Sequence, residues 1–182
     1  MKKTNGGYNV PETWDDITMK NLADIQSIGS AGVKGLMEAV SVFNRDRDVS
    51  EMELTDLLDA TNDIFLLLSA QPQPKEADTY SVDGIRYKVA TADTIDFQQF
   101  IDVNALKGTT EAEQIRNLPL ILSVITENRP KEAREWADEI AEKVSAVTAL
   151  GCTLFFSRGL EGYINAFRRS LQKEGEARTE RK

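Results

Sequence analysis

The sequence predicts a mainly α protein made of two similar strand-plus-three-helix units packed together, with a small β-hairpin between them and an extra amphipathic helix at the C-terminus. Three observations predict it. Apolar residues recur at three- and four-residue spacing along most of the chain. A single Asp-Gly pair sits between two β-prone segments. The chain also resembles itself: YNVPETWDDITMKNLADI from Tyr8 lies over YKVATADTIDFQQFIDV from Tyr87, which places Ile17, Met19, Leu22, Asp24 and Ile25 on Ile95, Phe97, Phe100, Asp102 and Val103. At an offset of 82, LMEAVSVF from Leu36 covers LPLILSVI from Leu118, and Ser50, Leu54, Leu58, Phe65 and Leu68 fall on Glu132, Trp136, Ile140, Val147 and Leu150. Amphipathic helices of equal length also match by chance at apolar positions, so the sequence alone leaves duplication and coincidence both open.

Residues 1–7 are polar, carry a Gly-Gly pair and read as disordered. Tyr8 to Val10 reads as a short strand stopped by Pro11, and a third strand for the later hairpin. The first helix is expected near Thr18, with Met19, Leu22, Ile25 and Ile28 on one face, and Gly29 and Gly32 bracket its end. A second carries Val33, Leu36, Met37, Val40 and Phe43 and closes at the charged RDRD run. Ser50 and Glu53 have capping-box spacing, which predicts a third helix from Glu51 with Leu54, Leu57, Leu58, Phe65 and Leu68 packed inward. QPQPKEAD is a linker, and Asp83-Gly84 predicts a hairpin over 80–89. Asp93 or Thr94 then caps a helix with Phe97, Phe100, Ile101 and Ala105 on one face, while Thr110 and Glu113 cap another in which Pro119 should kink the helix or mark a fresh start. Pro130 opens a long helix through Trp136, Ile140, Val144 and Val147, with Gly151 as a possible interruption. The last helix, about 153–172, has no partner in the first unit, and 175–182 reads as a disordered tail. The units span about 8–70 and 87–150 within one helical domain over 8–174.

Composition excludes more than it assigns. The chain contains no histidine, which removes the commonest general base near neutral pH and the usual partner of nucleophilic Ser or Cys. Its longest apolar runs, LPLILSVI and IFLLL, fall well short of the roughly 20 residues that span a bilayer, so the expectation is a cytoplasmic protein without membrane contact. The lone Cys152 fits a reducing compartment. Net charge is −8, yet from Arg158 onward seven Lys or Arg face four Glu. An acidic body repels phosphate backbones and disfavours nucleic acid as a partner.

Only carboxylates could hold a metal. Asp56, Asp59 and Asp63 share a helix face at the spacing magnesium ligands need, but a solvated face opposite a leucine stripe has the same pattern and is the preferred reading. GSAGVKG, from Gly29 to Gly35, lacks the Gly-Lys-Ser/Thr order of a phosphate loop and reads as a turn. No cofactor, metal or catalytic residue is assigned. The candidates for partner binding are Phe155, Phe156, Arg158, Tyr163, Phe167, Arg168 and Arg169, because adjacent phenylalanines and an Arg-bordered apolar stripe suit a groove or a partner helix. The competing reading makes this the last core helix with a solvated basic face.

The opening PETWDDITMKNLADI, the middle YSVDGIRYKVATADTIDFQQFIDV, and LPLILSVITENRPKEAREWADEIAEKVSAVTALGCTLFF with its amphipathic end resemble small helical proteins of tailed bacteriophages, over about residues 8–170. The nearest in kind are those described as tail assembly chaperones or minor tail and neck components. The resemblance implies a non-enzymatic protein that binds other proteins, such as phage tail or neck proteins, or a second copy of itself, during assembly or in the virion. It carries over no functional residue. A host-type helical adaptor or regulatory module fits the same residues, and a carboxylate or magnesium enzyme is the third alternative.

Overall fold

The computed structural model describes the backbone of residues 1–108 and 110–179, and side chains throughout these except at Glu111, Ala112, Tyr163 and from Ala166 onward. Helix dominates it, as predicted. β1 (Lys2–Lys3) and β2 (Asn9–Val10) precede α1 (Met19–Gln26), α2 (Gly32–Ser41) and α3 (Leu54–Ser69). β3 (Thr79–Val82) and β4 (Ile85–Lys88) precede α4 (Phe97–Leu106), α5 (Glu111–Val124) and α6 (Ala133–Lys143), and α7 (Ala146–Thr179) closes the chain.

The Asp83-Gly84 hairpin forms as predicted, with both residues at positive φ (51° and 79°) and Val82 opposite Ile85. The expected third strand does not join it. Asn9–Val10 pairs antiparallel with Lys2–Lys3 in a separate two-stranded sheet. Residues 1–7, expected to be disordered, thus form the first arm and turn of a hairpin: Thr4 N–H donates to Tyr8 O and Gly7 N–H to Thr4 O, both at 2.9 Å, and Gly7 takes a φ of 79° that favours glycine.

Several helix starts move by a few residues, each for a local reason. Thr18 caps α1 as expected, accepting from Asn21 N–H. Asp48, not Ser50, caps the turn before α3: its carboxylate accepts from Ser50 N–H at 2.8 Å, which winds Val49–Glu51 into a 3-10 turn and delays α3 to Leu54. Thr91 and Thr94 close a turn on each other, so Asp96, in a capping box with Gln99, starts α4. Thr110 and Glu113 form the predicted box, and α5 runs through Pro119. The long helix predicted from Pro130 is two helices. Val144 is extended, its carbonyl accepting from Met19 N–H at 3.3 Å while Ala146 N–H donates to Ile17 O at 2.8 Å, and this bridge to the entry of α1 separates α6 from α7.

Gly151 does not interrupt α7. A Cβ there would stand 2.1 Å from the carbonyl oxygen of Lys75, so the glycine lets the linker backbone lie directly on the helix. Ala77 N–H donates to Gly151 O at 3.3 Å in the same contact.

Two apolar clusters make the core. Tyr8, Val10, Ile17, Leu22, Val40, Phe43, Leu57 and Ile64 form the first; Tyr80, Val89, Val103, Leu122, Ile125, Trp136, Ile140, Cys152 and Phe156 belong to the second. They interlock. Met19 of α1 packs in the second cluster and Ala146 of α7 in the first, and α1 packs on α5 and α6.

The order of hairpin then three helices occurs twice. α1, α2 and α3 begin at Met19, Gly32 and Leu54, and α4, α5 and α6 at Phe97, Glu111 and Ala133, so the starts recur at offsets of 78, 79 and 79. The residue pairs read from the sequence do not all share an environment. Met19 is 1% exposed and Phe97 78%; Leu54 and Leu58 are exposed where Trp136 and Ile140 are buried. Leu54 opens α3 while Trp136 sits one turn inside α6, so the 82-residue offset carried past the second helix is three positions too long. Aligned from their first residues, the two helices instead match Leu57 with Trp136 and Thr61 with Ile140, all four buried.

Candidate functional site

α3 does not bury the stripe expected of it. Leu57, Ala60, Thr61 and Ile64 face the core, leaving Leu54, Leu58, Phe65 and Leu66 at 59%, 49%, 51% and 60% exposed. Of the three aspartates on this helix, Asp63 pairs with Lys2 at 2.7 Å and Asp56 accepts from Gly6 N–H at 3.1 Å. These two carboxylates hold the N-terminal hairpin. No cluster of three or more metal-ligating side chains occurs among the described residues.

α7 begins in the core and leaves it. Over its 34 residues, about 51 Å at 1.5 Å per residue, it first buries Ala149, Cys152 and Phe156. Burial pushes the Cys152 thiol up to about 12, and the thiol lies 3.8 Å from Thr79 O. Phe156, a predicted partner contact, is thus a core residue, since its position one turn after Cys152 repeats the buried face. Phe155 is half-buried against the same cluster. Arg158 is exposed and paired with Glu76 of the linker. Leu160 is the last residue packed on the cluster among the described side chains, and added Cβ atoms at Gly159 and Gly162 would meet nothing within 4 Å. Tyr163, Phe167, Arg168 and Arg169 have their backbone in α7, and their side chains lie outside the described residues. The helix continues past the expected fraying point at Glu174 to Thr179; residues 180–182 lie outside the described residues.

Beside the root of this helix opens a cleft of about 850 Å³ between α1, the end of α3, α5 and α7. Trp14, Leu22, Leu68, Ile115, Leu118 and Phe156 give it apolar walls, with Gln26, Gln71, Lys107 and Gln114 at polar positions. Trp14 is fixed across it by donating from Nε1 to Ala70 O at 3.0 Å. Cleft and helix together offer shape and apolar surface, and no nucleophile with a base beside it faces the cleft among the described residues.

Sequence reasoning missed the cleft and the exposed side of α3. The cleft joins elements far apart in the chain. The α3 surface had a signal: Leu54, Leu57, Leu58, Ile64, Phe65, Leu66, Leu67 and Leu68 are spread too widely round one helix for a single buried face. No helix among the described residues is long and apolar enough to cross a membrane. Comparison with known proteins finds no matching family model, no similar curated protein and no similar solved structure.

Proposed function

We propose that this protein acts by binding other proteins, without catalysis, as an assembly chaperone or minor structural component of a phage tail. The carrying observation is α7, which continues as helix to Thr179 after its last described core contact at Leu160. Leu160, Ile164, Phe167 and Leu171 keep helical spacing along that extension, a pattern suited to seating one face in a partner. The apolar cleft at its root extends the surface. The engagement of Asp56 and Asp63 with the N-terminal hairpin supports this reading over the carboxylate enzyme. The resemblance to phage tail proteins supplies the biological setting, in the cytoplasm of the producing cell or the virion.

We also infer that the two halves descend from one duplicated hairpin-and-three-helix unit. The recurrent helix starts support this. So do the crossings of strand over helix end: Asn44 exchanges side-chain hydrogen bonds with the backbone of Asn9 at 2.6 and 2.9 Å, and Glu127 N–H donates to Lys88 O at 2.9 Å at the corresponding place.

Co-expression with tail proteins encoded beside it tests the function. The full chain should copurify with one of them, and the Phe167→Ala/Arg168→Ala variant should lose it while melting at an unchanged temperature. A collapsed melt makes the segment a core element and defeats the reading, as does undiminished copurification.

A further inference from the structure

α3 offers exposed leucine and phenylalanine surface to an α-helix, and the chain itself carries a helix of matching pattern. Leu54, Leu58 and Phe65 are spaced by four and seven residues; read in the opposite chain direction, Leu171, Phe167 and Leu160 are spaced by four and seven as well. Each series fills three of four successive positions of a heptad seam, the repeat with which two helices pack side chain between side chains, and the position left out on α3 is Thr61, which faces the core. Lengths agree too. α3 has 16 residues, about 24 Å, and the stretch from Leu160 to Thr179 is about 30 Å.

Charge selects the pairing. From Glu51 to Ser69 the chain has five acidic residues and no Lys or Arg, whereas Arg158 to Lys173 has four basic residues and one acidic. Glu51 and Glu53, just before α3, form no ion pair among the described residues. Arg168, Arg169 and Lys173 fall in the later turns of α7. Antiparallel seating brings those turns to the acidic start of α3. In one chain, the Arg158–Glu76 pair and the core contact of Leu160 hold the root of the extension to the body, and α7 continues from there as one unbroken helix to Thr179.

We propose that the exposed face of α3 is the docking site for the C-terminal extension of α7 from a second copy of this chain, exchanged reciprocally in a closed two-fold dimer. This rests on the reading of the extension as a protein-binding element, and names its first partner. The dimer covers both apolar faces until an assembly partner displaces one of them.

Two defective variants provide the test, in light scattering and sedimentation of the full chain. Leu58→Glu/Phe65→Glu spoils the face, and deletion from Tyr163 onward removes the extension. The unaltered protein should be a dimer whose dissociation constant rises with salt, each variant alone a monomer, and an equal mixture of the two a one-to-one complex through the single intact contact. A monomeric unaltered protein, a ring or filament, a variant that still dimerises, or a mixture that stays monomeric overturns the proposal. Thermal melts separate this from the broader reading: a collapsed melt on truncation defeats the extension as a binding element, whereas an intact melt with a monomeric unaltered protein defeats only the exchange. Glu51→Lys/Glu53→Lys mixed with Arg168→Glu/Arg169→Glu, which leaves both helices in place, tests the exchange independently of truncation, and failure of that mixture to form mixed dimers overturns it.

Discussion

Tyr80 is the hub of a fully satisfied polar chain inside the second cluster. Trp136 Nε1–H donates to Tyr80 Oη at 2.9 Å, and Thr126 Oγ1 donates its one proton to Leu122 O at 2.6 Å. The 2.6 Å contact between Tyr80 and Thr126 must therefore run from the tyrosine hydroxyl to the threonine oxygen. Tyr80→Phe keeps the ring and removes the acceptor that Trp136 uses, stranding a buried indole N–H. The expected cost is about 1–3 kcal/mol, read as a lower urea midpoint at constant slope; an unchanged midpoint would show that water replaces the hydroxyl. The same burial sets the alkaline limit. Desolvation pushes Tyr80 from its usual 10.0 to about 12 and Cys152 from 9.0 to about 12. The unfolded chain ionises these groups first, so their contribution is complete below about pH 9 and is lost as pH rises towards about 12. Urea midpoints should fall across that window, and Cys152→Ala should flatten the early part of the fall. A Cys152→Ala profile parallel to that of the unaltered chain would sink the assignment.

At the scale of elements, helix existence was legible because apolar periodicity and caps are local signals. Thr18, Thr110 with Glu113, and Asp83-Gly84 all act within four residues of themselves. What escaped depended on contacts from elsewhere. Nothing near Val144 breaks a helix; the break follows from pairing with Ile17 and Thr18, more than a hundred residues earlier, and only Ser145, whose Oγ accepts from Thr148 N–H at 3.3 Å, marks the new start. Nor does local sequence tell Leu58 from Leu57. The burial of Phe156 beside half-buried Phe155 likewise depends on which side of α7 the second cluster occupies, so the candidate site was legible as a segment and not as a set of side chains. Gly151 had a visible signal with the wrong meaning: it admits the Lys75 carbonyl. Gly151→Ala should therefore destabilise by about 1–3 kcal/mol, as overpacking does, although alanine is the better helix former. A rise in melting temperature would show that the linker moves aside freely.

The whole molecule contains two apolar clusters that are not two folding units. Met19 belongs to the second although its helix belongs to the first half, Ala146 does the reverse, and the bridge between Thr18 and Ser145 ties both exchanges together. Neither half can lose its packing without exposing side chains of the other, and each half alone would bury a small core. Unfolding should therefore be a single cooperative transition. The two tryptophans test this directly, since Trp14 packs against the first cluster and Trp136 lies in the second. In Trp136→Phe the remaining fluorescence reports the first cluster, and in Trp14→Phe it reports the second. Within each variant, the fluorescence transition in urea should coincide with the loss of far-ultraviolet circular dichroism, even where the substitution lowers both midpoints together. Trp136→Phe is the harsher change, because it also leaves Tyr80 without its donor. If the halves were independent domains, that variant would split: circular dichroism would show an early step for the damaged second half, while Trp14 fluorescence would stay at the midpoint of the intact first half. Such a separation would refute the interlocked core.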